Sequence, residues 1–114
     1  MRSLPHPHRD QLELALVLDA LSDPTRLAIV EQLAADKDER RCGTFLDLGS
    51  KSNLTYHFTK LRSAGVVRIR IDGTARYMSL RRADLDARFP GLLDTILAAA
   101  RSPASRRERR VAAR

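Results

Sequence analysis

This sequence predicts a mostly α fold with a small β-hairpin, and three observations carry the prediction. The 114 residues are 43% hydrophobic yet include no Trp, two Tyr and three Phe, so the core must be aliphatic, built from Leu, Ile, Val and Ala. Apolar positions recur at helical spacing along most of the chain and change to a period of two only between residues 66 and 80. The length fits one domain and leaves no room for a second.

Taken in order, residues 1–9 hold Pro5 and Pro7 and no apolar period, which predicts a flexible arm. Residues 10–21 read as a helix. Its apolar positions (Leu12, Leu14, Ala15, Leu16, Val17, Leu18, Ala20, Leu21) exceed the single stripe of a surface helix, and in so small a domain a second subunit is the simplest cover for the excess. Asp23 is suited to N-cap a new helix and Pro24 to open it. That helix should run to about Ala35, with Leu27, Val30, Leu33 and Ala34 facing inward and Arg26, Glu31 and Gln32 outward. Residues 36–41 form a charged loop, and residues 44–48 a short helix ended by Gly49.

Ser50 caps the next helix, where Leu54, Phe58 and Leu61 form one buried stripe and Gly65 marks the stop. Val67, Ile69 and Ile71 then alternate with Arg68, Arg70 and Asp72 as a half-buried strand. Residues 72–75 turn, and residues 76–80 return with Met78 and Leu80 on the inner side. Such a hairpin is marginal alone and must lean on the helices. Phe89, Leu92, Leu93, Ile96, Leu97 and Ala100 mark a last helix from about Pro90, and residues 101–114 hold too few apolar side chains to fold, giving a disordered basic tail. The expected organisation is therefore an arm over 1–9, one domain over 10–100 and a tail over 101–114.

Charge is segregated along this framework. The net charge is +7, yet residues 1–49 carry 6 basic and 9 acidic side chains, while residues 50–82 carry 8 basic and one acidic. A further excess of +5 lies in residues 101–114. A mid-chain block of one sign is the electrostatic footprint of a phosphate-binding surface rather than of an ordinary solvated face.

Other classes are disfavoured. The longest apolar runs are five residues, Leu14 to Leu18 and Ile96 to Ala100, against the roughly 20 that a membrane span needs. With no signal peptide at the amino terminus and a single cysteine, Cys42, the expectation is a soluble cytoplasmic protein without a disulfide framework or membrane partner. No Gly-rich phosphate loop, His-Glu-x-x-His or triad context suggests an enzyme.

The helix after Ser50 carries the functional signal. Between its core positions lie Lys51, Ser52, Asn53, Thr55, Tyr56, Thr59, Lys60 and Arg62, none of them acidic. Cations suit phosphates, and amide, hydroxyl and phenol groups suit base edges, which together are what a major-groove helix requires. The order helix, helix, short helix, basic helix, hairpin, helix is a winged helix-turn-helix, with residues 44–48 opening the motif and residues 51–64 as the recognition helix. Arg68, Arg70 and Arg76 on the wing would touch phosphates or the adjacent minor groove. At these positions the chain resembles a known family. Ala20-Leu21-Ser22-Asp23-Pro24-Thr25-Arg26-Leu27-Ala28-Ile29-Val30 is similar to the opening signature of the arsenic-repressor (ArsR/SmtB-type) transcriptional regulators. Asn53-Leu54-Thr55-Tyr56-His57-Phe58-Thr59-Lys60-Leu61-Arg62 and the following Ser63-Ala64-Gly65-Val66-Val67 resemble their recognition helix and its exit into the wing. The resemblance implies a dimeric DNA-binding repressor, with Leu14, Leu18, Leu93 and Leu97 at a dimer seam between first and last helices.

The family's metal chemistry does not carry over. Where metal-sensing members hold a Cys-x-Cys pair, this sequence has Arg40-Arg41-Cys42, and Asp86 and Asp94 on the last segments have no histidine after His57 to complete the other common site. His6, His8 and Cys42 form an acceptable zinc set only if a flexible arm is held in place, and Cys42 alone is a poor redox switch. The expectation is no cofactor, no metal and an unassigned inducer. The partners expected are a double-stranded DNA operator and a second copy of the chain. A nucleoid-type binder without sequence preference, or a winged helix used for protein contact, is the competing reading; Asn53, Thr55, Tyr56 and Thr59 favour base reading over it.

Overall fold

The computed structural model describes residues 4–36 and 38–101. Five α-helices, two 3-10 helices and three strands follow one another over these residues: a 3-10 turn at Arg9–Gln11, α1 (Leu14–Ala20), α2 (Pro24–Asp36), β1 (Arg40–Arg41), a 3-10 helix at Cys42–Leu48, α3 (Lys51–Ser63), β2 (Val67–Asp72), β3 (Ala75–Leu80), α4 (Arg82–Arg88) and α5 (Leu92–Ala100). The strands make one antiparallel sheet in the order β1-β3-β2. The helices and sheet enclose an aliphatic core in which Ile29, Val30, Phe45, Leu61, Val66, Val67 and Met78 lose all contact with solvent. The fold is the winged helix-turn-helix that the element order predicts.

Local signals act where they are expected. The Asp23 carboxylate accepts from the backbone N–H of Thr25 at 2.8 Å and of Arg26 at 3.1 Å, which starts α2. Ser50 Oγ accepts from the Asn53 N–H at 3.2 Å and starts α3. Gly65, at φ +82°, ends that helix, and a side chain there would run into Leu12. The close approach has a cause: Leu12 and Glu13 are extended, so Leu12 turns into the core instead of continuing a helix. The expected helix over 10–21 is accordingly a 3-10 turn, a break and the shorter α1.

Four further expectations are corrected. Residues 4–9 do not form a free arm. Pro5 O accepts from Arg62 Nη1 at 2.7 Å, Pro7 O from Arg81 Nη1 at 2.7 Å, and His6 Nε2 from the Ile69 N–H at 3.0 Å. The prolines hold this segment extended along β2, and His6 satisfies a donor on what would otherwise be an open sheet edge. Residues 36–41 are not wholly loop, because Arg40 and Arg41 pair with Met78 and Tyr77 as a third strand. A helix, α4, occupies residues that carried no periodic signal strong enough to predict it. Arg26 does not point outward; it is buried.

The burial of the four leucines expected at a seam differs between the two helices. Leu93 and Leu97, on α5, are each 2% exposed within a single chain, packed with Ala100 into the protomer's own core against α2 and α4. They have no surface left for a partner. On α1 the opposite holds: Val17 and Ala20 face inward, while Leu14, Leu16 and Leu18 stand 43–51% exposed. Met1 to Ser3 and the expected tail beyond Arg101 lie outside the described residues.

Candidate nucleic-acid interface

The interface is built around α3. Leu54, His57 and Leu61 anchor its inner side, so the 3.6-residue period turns Ser52, Tyr56, Thr59 and Ser63 directly outward. Lys51, Thr55 and Arg62 flank this outer row on the side of the hairpin, and Asn53 and Lys60 on the side of α1 and α2. Tyr56 is 55% exposed and rests edge-on against the His57 ring at 5.3 Å, which limits its rotation without covering its hydroxyl. Thr55 Oγ1 donates to Lys51 O and Thr59 Oγ1 to Thr55 O, both at 2.9 Å, so these oxygens face solvent as acceptors.

The expected cations fall into two sets. Among the described residues, the side chains of Lys51, Arg68 and Arg76 make no hydrogen bond or ion pair. The others have work inside the protomer. Lys60 Nζ lies 3.0 Å from Asp19 Oδ2, Arg62 holds Pro5 O, and Arg70 forms a bidentate pair with Glu39 while its guanidinium lies 4.6 Å over the Tyr77 ring. The Arg70 hydrogen bond holds the Glu39 carboxyl below its usual range, and Glu39 in turn raises Arg70.

Strand register divides the wing as well. Side chains alternate along a strand, and Ile69 pairs with Met78 while Ile71 pairs with Arg76, so Arg76 shares the face that looks toward α3. Arg68, Arg70 and Tyr77 lie on the opposite face. Between α3, the hairpin tip and the start of the Cys42–Leu48 helix runs a cleft of about 790 Å³. Its described lining includes Lys51, Arg62 and Arg76 and no carboxylate; Arg41 borders it too, with its guanidinium 6.0 Å from the Tyr77 ring on the outer face. Arg41 escaped the sequence reading because only its pairing with Tyr77 brings β1 beside the hairpin; the adjacent Arg40-Arg41 pair was the available signal.

Thiol and imidazole chemistry is muted here. Burial pushes the Cys42 thiol above its usual range, with Arg76 opposing. Arg40 does not serve the thiol; it donates to Thr44 Oγ1 at 2.7 Å and lies over Phe45. His6 is lowered from the ordinary 6.5, first by burial and then by Arg68 and Arg62, which agrees with its role as a neutral acceptor. Among the described residues no group of three or more His, Cys, Asp and Glu could hold a metal ion. No helix among them is long and apolar enough to cross a membrane.

Known proteins share this fold. A helix-turn-helix domain family matches residues 21–70. The uncharacterized HTH-type transcriptional regulator YceK of Bacillus subtilis (strain 168) is 38% identical over 92 residues, spanning 76% of this chain and 88% of YceK. The chain belongs to the helix-turn-helix (HTH-type) transcriptional regulators. The fold is shared with HlyU from Vibrio cholerae N16961, at TM-score 0.60 and 24% identity over 76% of this chain and 87% of HlyU. An ArsR family transcriptional regulator superposes with TM-score 0.60 at 20% identity, over 72% of this chain and 90% of its own. The protein is thus a DNA-binding transcriptional regulator and not an enzyme.

Proposed function

We propose that this regulator is a cytoplasmic, homodimeric, sequence-specific repressor that inserts the outer face of α3 into the major groove of an operator. The observation that carries the reading is the composition of that face: Ser52, Asn53, Thr55, Tyr56 and Thr59 for base edges, flanked by Lys51, Lys60 and Arg62, with no carboxylate on it. Arg76 and the cation-lined cleft supply phosphate contacts beside the helix, and Arg68 adds charge on the outer face of the wing. Arg70 is the weakest member of the set, since an operator must compete with Glu39 for it. Two copies would meet through the exposed Leu14, Leu16 and Leu18 of α1, which otherwise leave three leucines in water.

The test is titration of an operator, selected by binding from genomic fragments, against random duplex at physiological salt. A preference of about 10³ or more is expected of a specific regulator. Asn53→Ala or Tyr56→Ala should each cost about 1–3 kcal/mol on the operator and much less on random DNA, because only the operator offers the matching edges. Equal binding to both duplexes would leave a charge-driven, sequence-indifferent binder instead. Repression rather than activation is checked by a reporter placed behind the operator, whose expression should rise when the regulator is deleted.

A further inference from the structure

Arg26 stands in the first turn of α2, where a charged side chain ordinarily reaches solvent, yet it is 6% exposed. Its guanidinium is shared among three helices. Nε donates to Ala20 O at 2.7 Å and Nη2 to Asp19 O at 3.3 Å, two carbonyls at the C-terminal end of α1, the second of which also accepts from Ser22. Nη1 lies 3.1 Å from Nδ1 of His57, itself 6% exposed in the middle of α3. A second link runs parallel to the first, because Lys60, one turn beyond His57, reaches the Asp19 carboxylate. Burying a guanidinium is costly, and an apolar side chain of similar length would fill the same space without that cost. What an apolar side chain would not do is fix the end of α1, the start of α2 and the middle of α3 in one geometry.

We infer that Arg26 and His57 are positioning residues that couple α1 to the recognition helix, so that the orientation of α3 follows the seat of α1. This rests on the homodimeric, operator-reading function proposed above. With Leu14, Leu16 and Leu18 of α1 at the seam, the link Asp19/Ala20–Arg26–His57 runs from seam to recognition helix inside each protomer. The distance and angle between the two recognition helices of a dimer, and hence the half-site spacing it reads, depend on that link. Only a ring whose Nδ1 is an acceptor serves, which requires the neutral imidazole with its proton on Nε2. The charged groups facing the ring are Arg26 and, at 3.9 Å from Nδ1, the Asp23 carboxylate; Tyr56 covers one edge.

The experiment uses the full chain with Arg26→Met, His57→Leu and His57→Asn. Asn is chosen because its carboxamide oxygen can take the place of Nδ1. Each protein is titrated with an operator duplex enriched by wild-type binding, with the same duplex lengthened by one base pair between half-sites, and with random duplex; folding and dimer mass are read by thermal melting and sedimentation. Arg26→Met and His57→Leu should lose about tenfold on the operator, the worth of one good base contact, and discriminate less between the two spacings. Random-duplex binding should stay within about twofold, and His57→Asn should restore the operator preference. In the wild type, the ¹⁵N spectrum of His57 should show the proton on Nε2, and Arg26→Met should shift that tautomer balance. Undiminished operator preference and spacing discrimination in both disruptive variants would overturn the coupling while leaving the regulator reading intact. Losses that track melting temperature alone on every duplex, without rescue by His57→Asn, would reduce Arg26 to a folding residue. A monomeric wild type, or one without operator preference, would sink both readings together.

Discussion

Two helices of this protein are similar in composition and opposite in use. α1 reads Leu-Ala-Leu-Val-Leu-Asp-Ala and α5 reads Leu-Leu-Asp-Thr-Ile-Leu-Ala-Ala-Ala. The first spends its apolar surface outward, leaving Leu14, Leu16 and Leu18 exposed around a buried Val17 and Ala20. The second turns Leu93, Leu97 and Ala100 into the protomer and keeps Thr95, Ala98 and Ala99 outside. The difference teaches that a leucine-rich segment specifies an area to be covered but not the element that covers it. α5 lies against α2 and α4 of its own chain, whereas α1 follows an extended break at Leu12 and Glu13 and meets the rest of the fold along one narrow side.

The contrast can be broken or sharpened by substitution. The largest effect is expected at Leu97→Ala, which should destabilise the folded chain by about 2–5 kcal/mol in urea unfolding, because it opens a cavity in a packed core. A loss of only a few tenths would mean that α5 is not core and that the two helices are alike after all. Leu18→Asp should leave helical content unchanged by circular dichroism and yet shift sedimentation toward monomer at about ten micromolar, where an unpaired carboxylate in an apolar seam is not tolerated. If Leu18→Asp instead unfolded the protein and Leu97→Asp did not, the assignments of the two helices would be reversed.

The smallest effect concerns the clamp between the segments leading into the two helices. Asp84 on α4 accepts from Arg9 Nε at 2.7 Å and from Arg81 Nε at 2.9 Å. The Arg9 hydrogen bond, reinforced by Arg81, holds its carboxyl below the ordinary 3.8. Since the folded value is the lower one, the clamp contributes fully above pH 3.8 and its contribution is lost as pH falls through the depressed value. Acid titration of thermal stability should therefore be shallower in Asp84→Asn than in the wild type, with the two curves converging at the acid end. Parallel curves would show that the clamp adds nothing to the docking of either segment.

Much of the candidate interface was legible because its signals are local. A serine three residues before an asparagine caps α3, a proline after an aspartate opens α2, and alternating Ile and Arg draw β2; each depends on neighbours within one turn or one pleat. The non-acidic outer face of α3 follows from the helical period once Leu54 and Leu61 are placed inside. The division of the cations does not. Lys60 meets Asp19, Arg62 meets Pro5 and Arg70 meets Glu39 across separations of 41, 57 and 31 residues, and no pattern in the chain records such meetings.

By itself, then, the sequence determined the types of α2, α3, α5 and the hairpin strands, the caps and the turn of the hairpin, since backbone propensity and periodicity act over a few residues. Tertiary structure alone decided that His6 and its neighbours lie against the sheet, that Arg40 and Arg41 complete it, that Arg26 turns inward to His57, and that α5 buries its leucines while α1 leaves Leu14, Leu16 and Leu18 exposed. Each of these is a choice of partner for a group that must be satisfied: a strand-edge N–H, a helix-end carbonyl, a buried guanidinium, a leucine stripe. The need is written locally, but which distant group meets it is settled only when the chain has closed on itself.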